Sequence, residues 1–505
     1  MMYEPVIGLE IHAQLLTKTK LFCGCSAAYG NPPNSLTCPM CLGLPGALPV
    51  LNHEAVVMAV KLALAVKAKI HLCSVFSRKN YFYPDLPKGY QVTQYQHPIA
   101  SEGRLRIGYN GSIKAIGIER INLEEDAGKS IHDHRPESPE KTYLDFNRSG
   151  VPLLEIVSKP EINSPSEAVE FLQLFRTVLQ YLEICSGNME EGTFRCDANL
   201  SVRKKWAQEM GVKAEIKNIN SFRFLQKALE YEACRQMELI KAGKPIKQET
   251  RFWDERQNQT LPMRSKEEAH DYRYFPEPDL PPLVIPEKLI KRIKATLPEL
   301  PQEKIERFKQ KYKLPPYDAK ILSASRDLAD YFEQTAVESN NPKQSSNWIM
   351  RDVLQYLKEE NMDISQFPLP PKYLAELILL VENKKISLRI AKEKVFPRMT
   401  GTRKRAGRIV KEEGLSQISD VSQIEKLARK TIKRNPRLVQ QYKGGKVQVL
   451  SFLVGQVMKE TKGTANPQLV NKILKEALNS LSDSSSSKRK KLNKLKQTKH
   501  TRQTK

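Results

Sequence analysis

The sequence contains no apolar run long enough to cross a membrane, since no stretch approaches eighteen consecutive apolar residues. A strand-like segment, VIGLEIH, begins within a few residues of Met1 and leaves no room for a signal or transit peptide. Cysteine is also scarce, because eight residues in a chain of 505 are too few for a disulfide framework and fit a reducing compartment. We therefore expect a cytoplasmic protein of several domains that does not associate with membranes.

The motifs of the most common enzyme classes are missing as well. The sequence has no G-x-x-x-x-G-K-[ST], no G-x-S-x-G, no H-E-x-x-H and no dinucleotide-binding glycine fingerprint placed after a strand. These absences exclude a P-loop nucleotide site, an α/β-hydrolase triad, a zinc protease site and a Rossmann cofactor site. Any catalytic chemistry has to come from residues dispersed along the chain.

Basic residues, in contrast, are abundant. The net charge is +25, and Lys488–Lys505 contributes nine of these positive charges without any acidic residue. The other +16 is spread over the rest of the chain and indicates a phosphate-rich partner such as a nucleic acid. An ordinary basic surface is the alternative interpretation. The segment from Ser482 to Lys505 has too little apolar content to fold and is predicted to be a disordered basic tail.

Four of the cysteines have the spacing of a zinc site. Cys23 and Cys25 are followed, after twelve residues, by Cys38 and Cys41. Two close pairs on separate turns can close a tetrahedron of thiolates around Zn²⁺. The other four cysteines are scattered and are interpreted as core thiols.

The first strand-like segment has two faces of different chemical character. Ile7, Leu9 and Ile11 alternate as a buried face, so that Glu10 and His12 share the other face. Three consecutive carboxylates, Glu124 to Asp126, require compensation by a cation or by Lys129 unless they are solvated. Such a set of carboxylates with one histidine suits Mg²⁺ held near substrate phosphates. The members of the set are Glu10, His12, Glu124, Glu125, Asp197 and Glu215.

Arg78 to Gln91 and Arg264 to Leu283 mix basic and aromatic residues, whereas Met189 to Arg203 has a different, polar pattern. Arg78 to Gln91 contains two prolines and is predicted to be an ordered loop that either binds a ligand or belongs to a satellite core. Met189 to Arg203 alternates like a strand with an unusually polar face, which either borders a cleft or faces water.

The helix signals divide the chain into an α+β first part and an all-helical second part. A helix is predicted from Asn52, a second after the capping box Ser164 to Glu167 as far as about Leu182, and a third ending at Gly243. From Pro286 onward, amphipathic helices are separated by prolines.

Several longer strings resemble those of the GatB family, the B subunits of bacterial-type Asp/Glu-tRNA amidotransferases. They follow the family's order from Met1 to Leu478 and read VIGLEIHAQL, RKNYFYPDLPKGYQ, NRSGVPLLEIVS, MEEGTFRCDANLSVR, EIKNINSF, DYRYFPEPDLPPL and FLVGQVMKETKGTANPQLVNKIL.

The resemblance implies a mixed or antiparallel-sheet cradle domain at residues 1–293, a helical linker domain at 294–405 and a helical YqeY-like tRNA-binding tail domain at 406–478, ahead of the disordered basic tail at 479–505. The implied activity is ATP-dependent phosphorylation of the side-chain carboxylate of misacylated Glu-tRNA(Gln) or Asp-tRNA(Asn), followed by amidation with ammonia. The implied partners are a GatA-type amidase, a GatC-type small subunit and the misacylated tRNA. A non-catalytic tRNA-binding scaffold with the same fold is the alternative.

The resemblance also implies roles for individual residues. Glu10, His12 and Glu125 are the expected Mg²⁺ ligands, with Mn²⁺ tolerated by the histidine, and Glu124 is expected to act with them. The four cysteines are expected to hold a structural zinc ion. Lys79 and Lys88 are further expected to line an ammonia passage. The expected substrate and ATP-binding residues are Arg78, Lys79, Tyr81, Tyr83, Lys88, Asp197, Glu215 and Lys217.

Overall fold

The computed structural model describes residues 3–109, 112–131, 141–263, 271–416, 421–461 and 463–480. The chain divides into two compact units, Met1–Lys304 and Ile305–Lys505. Among the described residues, no helix combines the length and the apolar character needed to cross a bilayer. The predicted disordered tail lies outside the described residues, except for residues 479 and 480 at the end of the last helix.

The first unit combines strands with a few helices. The strands are β1 (Tyr3–Gln14), β2 (Lys69–Ile70), β3 (Cys73–Ser74), β4 (Phe76–Asn80), β5 (Tyr90–Gln94), β6 (Ala100–Tyr109), β7 (Ser112–Glu125), β8 (Lys129–Ile131), β9 (Tyr143–Asp145), β10 (Pro152–Ser158), β11 (Phe194–Lys204), β12 (Ala214–Lys217), β13 (Glu249–Asp254), β14 (Gln259–Pro262), β15 (Phe275–Pro276) and β16 (Leu283–Val284). The helices are α1 (His53–Ala65), α2 (Pro165–Tyr181), α3 (Phe222–Lys241) and α4 (Glu287–Ala295).

A nine-stranded sheet organises this unit, in the order β14-β13-β12-β11-β1-β10-β7-β6-β2. Neighbouring strands run antiparallel except β12 and β13, which are parallel. Smaller sheets are formed by β15-β4-β5, by β16-β3 and by β8-β9. The sheet-rich first unit and the helices that follow confirm the α+β class.

The central strand β1 shows why the two faces of the large sheet differ. Ile7, Leu9 and Ile11 are at most 1% exposed and pack into one hydrophobic core with α1, α2 and α3. Alternation then turns Glu10 and His12 to the opposite side, which we call the polar face. The predicted division of β1 into an apolar and a polar side is confirmed.

The predicted helix ends are also confirmed. The side chain of Asn52 accepts hydrogen bonds from the backbone N–H groups of Glu54 and Ala55 at the start of α1. Ser164 does the same for the N–H of Glu167 at the start of α2. Gly243, with φ of +66°, follows the end of α3, where the left-handed conformation suits glycine.

The prediction that Arg78 to Gln91 is an ordered, partly extended loop rather than a regular element is wrong at both ends. The segment begins inside β4 and ends inside β5, and these two strands pair in register from Phe76 with Gln94 to Asn80 with Tyr90. Pro84 and Pro87 both lie in the connection, so neither removes a hydrogen bond from the ladder.

The second unit is built from helices, as predicted. They are α5 (Pro301–Lys311), which begins in the first unit, α6 (Pro316–Leu322), α7 (Arg326–Ser339), α8 (Pro342–Trp348), α9 (Leu354–Glu359), α10 (Pro371–Glu382), α11 (Leu388–Ile390), α12 (Phe396–Thr402), α13 (Ala406–Glu412), α14 (Val421–Arg434), α15 (Pro436–Lys443), α16 (Val449–Glu460) and α17 (467–480). Ile349–Val353 and Ala391–Val395 are π-helical turns, and Ile364–Gln366 is a 3₁₀ turn.

Two separate hydrophobic clusters stabilise this unit. The first cluster contains apolar residues between Phe308 and Leu415. The second contains apolar residues between Ile424 and Leu478. The helix α13 belongs to the first of them through Ala406, Ile409 and Val410. The domain boundaries predicted at 293, 405 and 478 remain predictions.

Candidate active site

The centre of the polar face carries a group of converging acidic side chains around one histidine. Glu10 lies opposite Asp197 of β11, and His12 lies opposite Glu155 of β10. The Nε2 atom of His12 is 3.6 Å from Oε1 of Glu10 and 4.0 Å from Oε2 of Glu155. Oε1 of Glu124, from β7, is also 4.0 Å from Nε2. We call Glu10, His12, Glu124 and Glu155 the acidic cluster.

Hydrogen bonds from neighbouring strands fix the carboxylates of this cluster. Thr93 of β5 donates its hydroxyl to Oε2 of Glu124 at 2.7 Å. Asn122 of β7 donates its amide to Oε1 of Glu155 at 3.0 Å. Each of these bonds uses one oxygen and leaves the other oxygen of the carboxylate directed to His12. The strands therefore preorganise oxygen atoms around the imidazole.

Burial and mutual repulsion disfavour the ionised form of the carboxyl groups in this cluster. Burial, and then the charges of Glu155 and Asp197, raise the pKa of Glu10 to about 7. Burial and Glu155 likewise raise the pKa of Glu124 to about 8. Burial, assisted by Arg195, lowers the pKa of His12 to about 3. The imidazole is therefore neutral and has a lone pair available to a metal ion.

The donor set fits a divalent cation. One ligand atom from each of Glu10, His12 and Glu155 lies within 4.8 Å of the other two. An octahedral ion with bonds of about 2.1 Å separates neighbouring ligand atoms by about 3 Å and opposite ones by about 4.2 Å. The observed distances of 3.6 to 4.0 Å from His12 fall between these two values, so a bound ion would draw the ligand atoms closer together. Carboxylate oxygens with one imidazole nitrogen suit Mg²⁺ or Mn²⁺.

Glu125, the third expected ligand, occupies a different environment. It follows Glu124 directly on β7, so alternation directs its side chain away from the acidic cluster. Its Oε1 atom accepts hydrogen bonds from the ammonium of Lys88 and from the backbone N–H of Val92. Both side chains of this ion pair are 4% exposed. Among the described residues, Glu155 and not Glu125 completes the group with Glu10 and His12.

Lys79 connects the acidic cluster to a set of aromatic rings. Burial alone would lower the pKa of this lysine, but interactions with Glu124, Tyr274 and Glu155 together raise it. Its ammonium also lies 4.9 Å from the ring centroid of Tyr272 and 5.9 Å from that of Tyr81. Lys79 is thus a fixed cation beside the cluster.

A cavity of about 540 Å³ opens next to this lysine. This volume is in the range of small-ligand pockets. Its wall includes Lys79, Tyr81, Phe82, Tyr83 and Tyr272. Three of the predicted substrate-binding residues, Lys79, Tyr81 and Tyr83, therefore meet at one cavity.

The third of the consecutive carboxylates is compensated by arginines, not by Lys129. The Oδ2 atom of Asp126 accepts hydrogen bonds from Arg195 at 2.8 Å and from Gln14 at 2.7 Å, and Arg148 lies 3.7 Å away. Burial would raise the pKa of Asp126, but Arg195 and Arg148 lower it below its usual range. The three carboxylates are buried, so the interpretation that they are simply solvated is wrong.

Other predicted site residues form a second polar group on the same side of the sheet. Lys217 donates to Oδ2 of Asp197 at 2.7 Å and lies 3.0 Å from Oε1 of Glu215. Because Asp197 lies opposite Glu10, this group borders the acidic cluster. The predicted polar strand face therefore borders the acidic cluster.

Arg78 has a different set of contacts. Its guanidinium forms a bidentate pair with the buried Glu277, at 2.8 and 2.7 Å, and lies 4.2 Å from the ring centroid of Tyr90. These contacts connect β4 with the segment after β15, and they leave Arg78 engaged in holding the fold.

The four cysteines come together as the spacing predicts. One sulfur from each of Cys23, Cys25, Cys38 and Cys41 lies within 4.8 Å of the other three. The backbone N–H of Cys38 donates to the sulfur of Cys41 at 3.1 Å. A hydrogen bond from Cys23 chiefly lowers the pKa of Cys41 to about 4, which favours a thiolate. Four sulfurs in this arrangement fit a tetrahedral Zn²⁺ site.

Comparison with known proteins assigns the family. A family model described as the GatB/GatE catalytic domain matches residues 5–291, and a GatB domain model matches residues 330–478. The chain belongs to the GatB family. Three similar GatB proteins are the aspartyl/glutamyl-tRNA(Asn/Gln) amidotransferase subunits B of Thermodesulfovibrio yellowstonii, Carboxydothermus hydrogenoformans and Thermotoga petrophila.

These GatB relatives align along almost their whole length. The first is 54% identical over 480 residues, which cover 94% of this chain and 100% of the relative. The other two are 50% identical to this chain, and each alignment covers 95% of this chain and 99% of the relative. The family predicted from the sequence is confirmed.

Sequence reasoning missed two important parts of the site. Glu155 is the one charged residue in the buried strand Pro152–Ser158, and a lone carboxylate in an apolar run was an available signal. Tyr272 was noted within a basic and aromatic segment but not assigned to the site, because its approach to Lys79 depends on distant parts of the chain.

Proposed function

We propose that the chain is the B subunit of an aspartyl/glutamyl-tRNA amidotransferase and that the acidic cluster activates the misacylated tRNA with ATP. The reaction phosphorylates the side-chain carboxylate of Glu-tRNA(Gln) or Asp-tRNA(Asn). Ammonia then displaces phosphate and gives Gln-tRNA(Gln) or Asn-tRNA(Asn). The observation that carries the proposal is the convergence of Glu10, Glu124 and Glu155 on neutral His12.

Activation is needed because a carboxylate offers ammonia no acceptable leaving group. Phosphoryl transfer makes phosphate the leaving group, but the attacking carboxylate and the γ-phosphate are both anions. Mg²⁺ bound at the acidic cluster would neutralise this charge. Glu10, His12 and Glu155 would hold the ion, and Glu124 would support it from β7. Lys79, adjacent to the cluster, would place a second positive charge against the phosphates.

The cavity beside Lys79 would hold the nucleotide. Tyr81, Phe82, Tyr83 and Tyr272 offer aromatic faces on which an adenine ring can stack. Lys79 contacts the ring of Tyr272 and interacts electrostatically with Glu124 and Glu155, so the phosphates of a nucleotide stacked on these rings would lie near the acidic cluster. Lys217, Asp197 and Glu215 border the cluster on the other side and would contact the aminoacyl group.

The four cysteines would bind a structural Zn²⁺ ion with no open coordination position. None of the eight cysteines forms a disulfide, which supports a location in the cytosol. A GatA-type amidase would supply ammonia from glutamine, a GatC-type subunit would complete the complex, and the helices of residues 406–478 would contact the tRNA.

The decisive experiment measures three activities of the reconstituted three-subunit complex with Mg²⁺: amidation of misacylated tRNA, ADP formation that depends on this tRNA, and glutaminase activity. Glu10→Gln should abolish the first two activities and leave glutamine hydrolysis intact. Glu119→Gln is the matched control, because Glu119 is also on a strand but its side chain is 53% exposed.

The alternative is a scaffold that binds tRNA without catalysing phosphorylation. It predicts that ADP formation is equal in wild type and Glu10→Gln. That result, with folded protein and normal tRNA binding, would overturn the proposed kinase step.

A further inference from the structure

Lys20 is a fully buried cation without a carboxylate partner in the described part of the chain. Its exposed fraction is 0%. The ammonium donates hydrogen bonds to two backbone carbonyls, those of Leu36 at 2.8 Å and Phe146 at 3.2 Å. Carbonyl oxygens solvate a cation but do not neutralise it. A buried charge normally requires an opposite charge nearby.

The four-cysteine site is the adjacent source of negative charge. The backbone N–H of Lys20 donates to the carbonyl of Cys25 at 2.9 Å. A methyl group built on Gly150 would lie 3.5 Å from Cδ of Lys20 and 3.6 Å from Cβ of Cys41, so both side chains border the same small space. Four thiolates around Zn²⁺ carry a net charge of −2, which the nearby ammonium would partly offset.

The two carbonyls that Lys20 contacts belong to different parts of the chain. Leu36 lies between the two cysteine pairs, whereas Phe146 follows β9. From this second segment, Ser149 donates its hydroxyl to the carbonyl of Cys41, and Gly150 donates its N–H to the carbonyl of Asp126. The Lys20 ammonium therefore joins the cysteine loop to a segment that also supports Asp126.

We propose that Lys20 is the counter-ion of the four-cysteine zinc site and a positioning residue that couples zinc binding to the segment 144–150. The inference rests on the zinc site included in the proposed function. Zinc attracts the thiolates, and the ammonium offsets the remaining negative charge. Loss of either charge leaves the other buried and unbalanced.

The first test compares zinc affinity in the purified complex, measured by competition with a chromogenic chelator. Lys20→Met should weaken zinc binding by roughly 10- to 100-fold, as loss of residues that support metal ligands does. Lys18→Met is the control, because Lys18 is exposed on the same segment and should leave the affinity unchanged. Lys20→Gln removes the charge but keeps a hydrogen-bond donor. A wild-type affinity in Lys20→Gln would overturn the counter-ion role.

The second test uses the wild-type chain, so it does not depend on the folding of a variant. Lysine acetylation is followed by mass spectrometry before and after zinc is removed with the chelator. Lys20 should be unreactive with zinc and become reactive without it, whereas Lys18 should react equally in both states. If Lys20 stays protected after zinc removal, the coupling is wrong. A wild-type complex that contains no zinc would instead overturn the zinc site itself, and with it this inference.

Discussion

His12 and Glu155 face each other across β1 and β10, with Nε2 and Oε2 4.0 Å apart. Glu125, the third cation ligand expected from the sequence, is instead paired with Lys88. The proposed cation site is therefore formed by adjacent strands of one sheet, and its spacing follows from strand pairing.

The two glutamates should consequently respond differently to substitution. Glu155→Gln should raise the Mg²⁺ concentration needed for half-maximal ADP formation by at least about 10-fold, because it replaces an anionic ligand by a neutral amide. Glu125→Gln should instead reduce the free energy of unfolding by about 3 kcal/mol, because it leaves the buried Lys88 without its partner. Mg²⁺ titrations and chemical denaturation separate these effects. A larger Mg²⁺ effect in Glu125→Gln would restore the original ligand assignment.

Mg²⁺ affinity should rise with pH. The pKa of Glu10 is raised to about 7 and that of Glu124 to about 8, so both carboxyls hold protons in neutral solution that a cation must displace. The affinity should increase between about pH 6 and 8.5 and then become constant. Calorimetry in two buffers of different ionisation enthalpy measures the protons released. Glu124→Gln should release fewer protons, and no proton release from wild type would contradict the expectation.

The same shifts affect the stability of the metal-free protein. Because the folded-state pKa values of Glu10 and Glu124 lie above the unfolded value of 4.5, the folded protein binds these protons more tightly. Their contribution to stability is complete below pH 4.5 and is lost as the pH rises through about 7 and 8. Chemical denaturation at pH 6 and pH 8.5 with a metal chelator should show this loss from Glu10 and Glu124, and Mg²⁺ should reduce it. The variant Glu10→Gln should show a smaller pH dependence.

Removal of an aromatic wall should weaken ATP binding more than it slows the chemistry. Tyr272→Leu should raise the KM for ATP about 5-fold or more, since base stacking on an aromatic ring contributes about 1–3 kcal/mol. Tyr317→Leu, at a residue that is 69% exposed in the second unit, is the control. Steady-state kinetics of tRNA-dependent ADP formation provides both constants. An unchanged KM would place the adenine elsewhere.

Truncation of the second unit should reduce tRNA affinity without impairing ATP cleavage. The cut belongs after Leu415, because α13 packs into the same hydrophobic cluster as the preceding helices. A chain ending at residue 416 should show a higher KM for tRNA but little change in the KM for ATP. A chain ending at residue 405 loses Ile409 and Val410 and should also unfold at a lower temperature. Equal effects of the first truncation on both substrates would contradict a tRNA-binding role for residues 421–480.

Local patterns in the sequence were sufficient to predict much of this structure. Alternation in β1 separated Ile11 from His12, and the capping residues Asn52 and Ser164 located the starts of two helices. The partner of His12 could not be derived in this way, because pairing between β1 and β10 is a long-range property of the sheet. Alternation nevertheless implies that Glu124 and Glu125, as neighbours on one strand, cannot both face the same cation.

The central position of β1 in the sheet limits which changes in its sequence the fold can accommodate. Its residues are paired along both edges, from Tyr3 with Lys204 to Ala13 with Phe194 on one side and from Glu10 with Val157 to Gln14 with Leu153 on the other. Insertion of a single residue before Leu9 would slip the strand and turn Glu10 and His12 into the hydrophobic core. The fold of this strand therefore tolerates a single polar substitution far better than any change in the length of the strand.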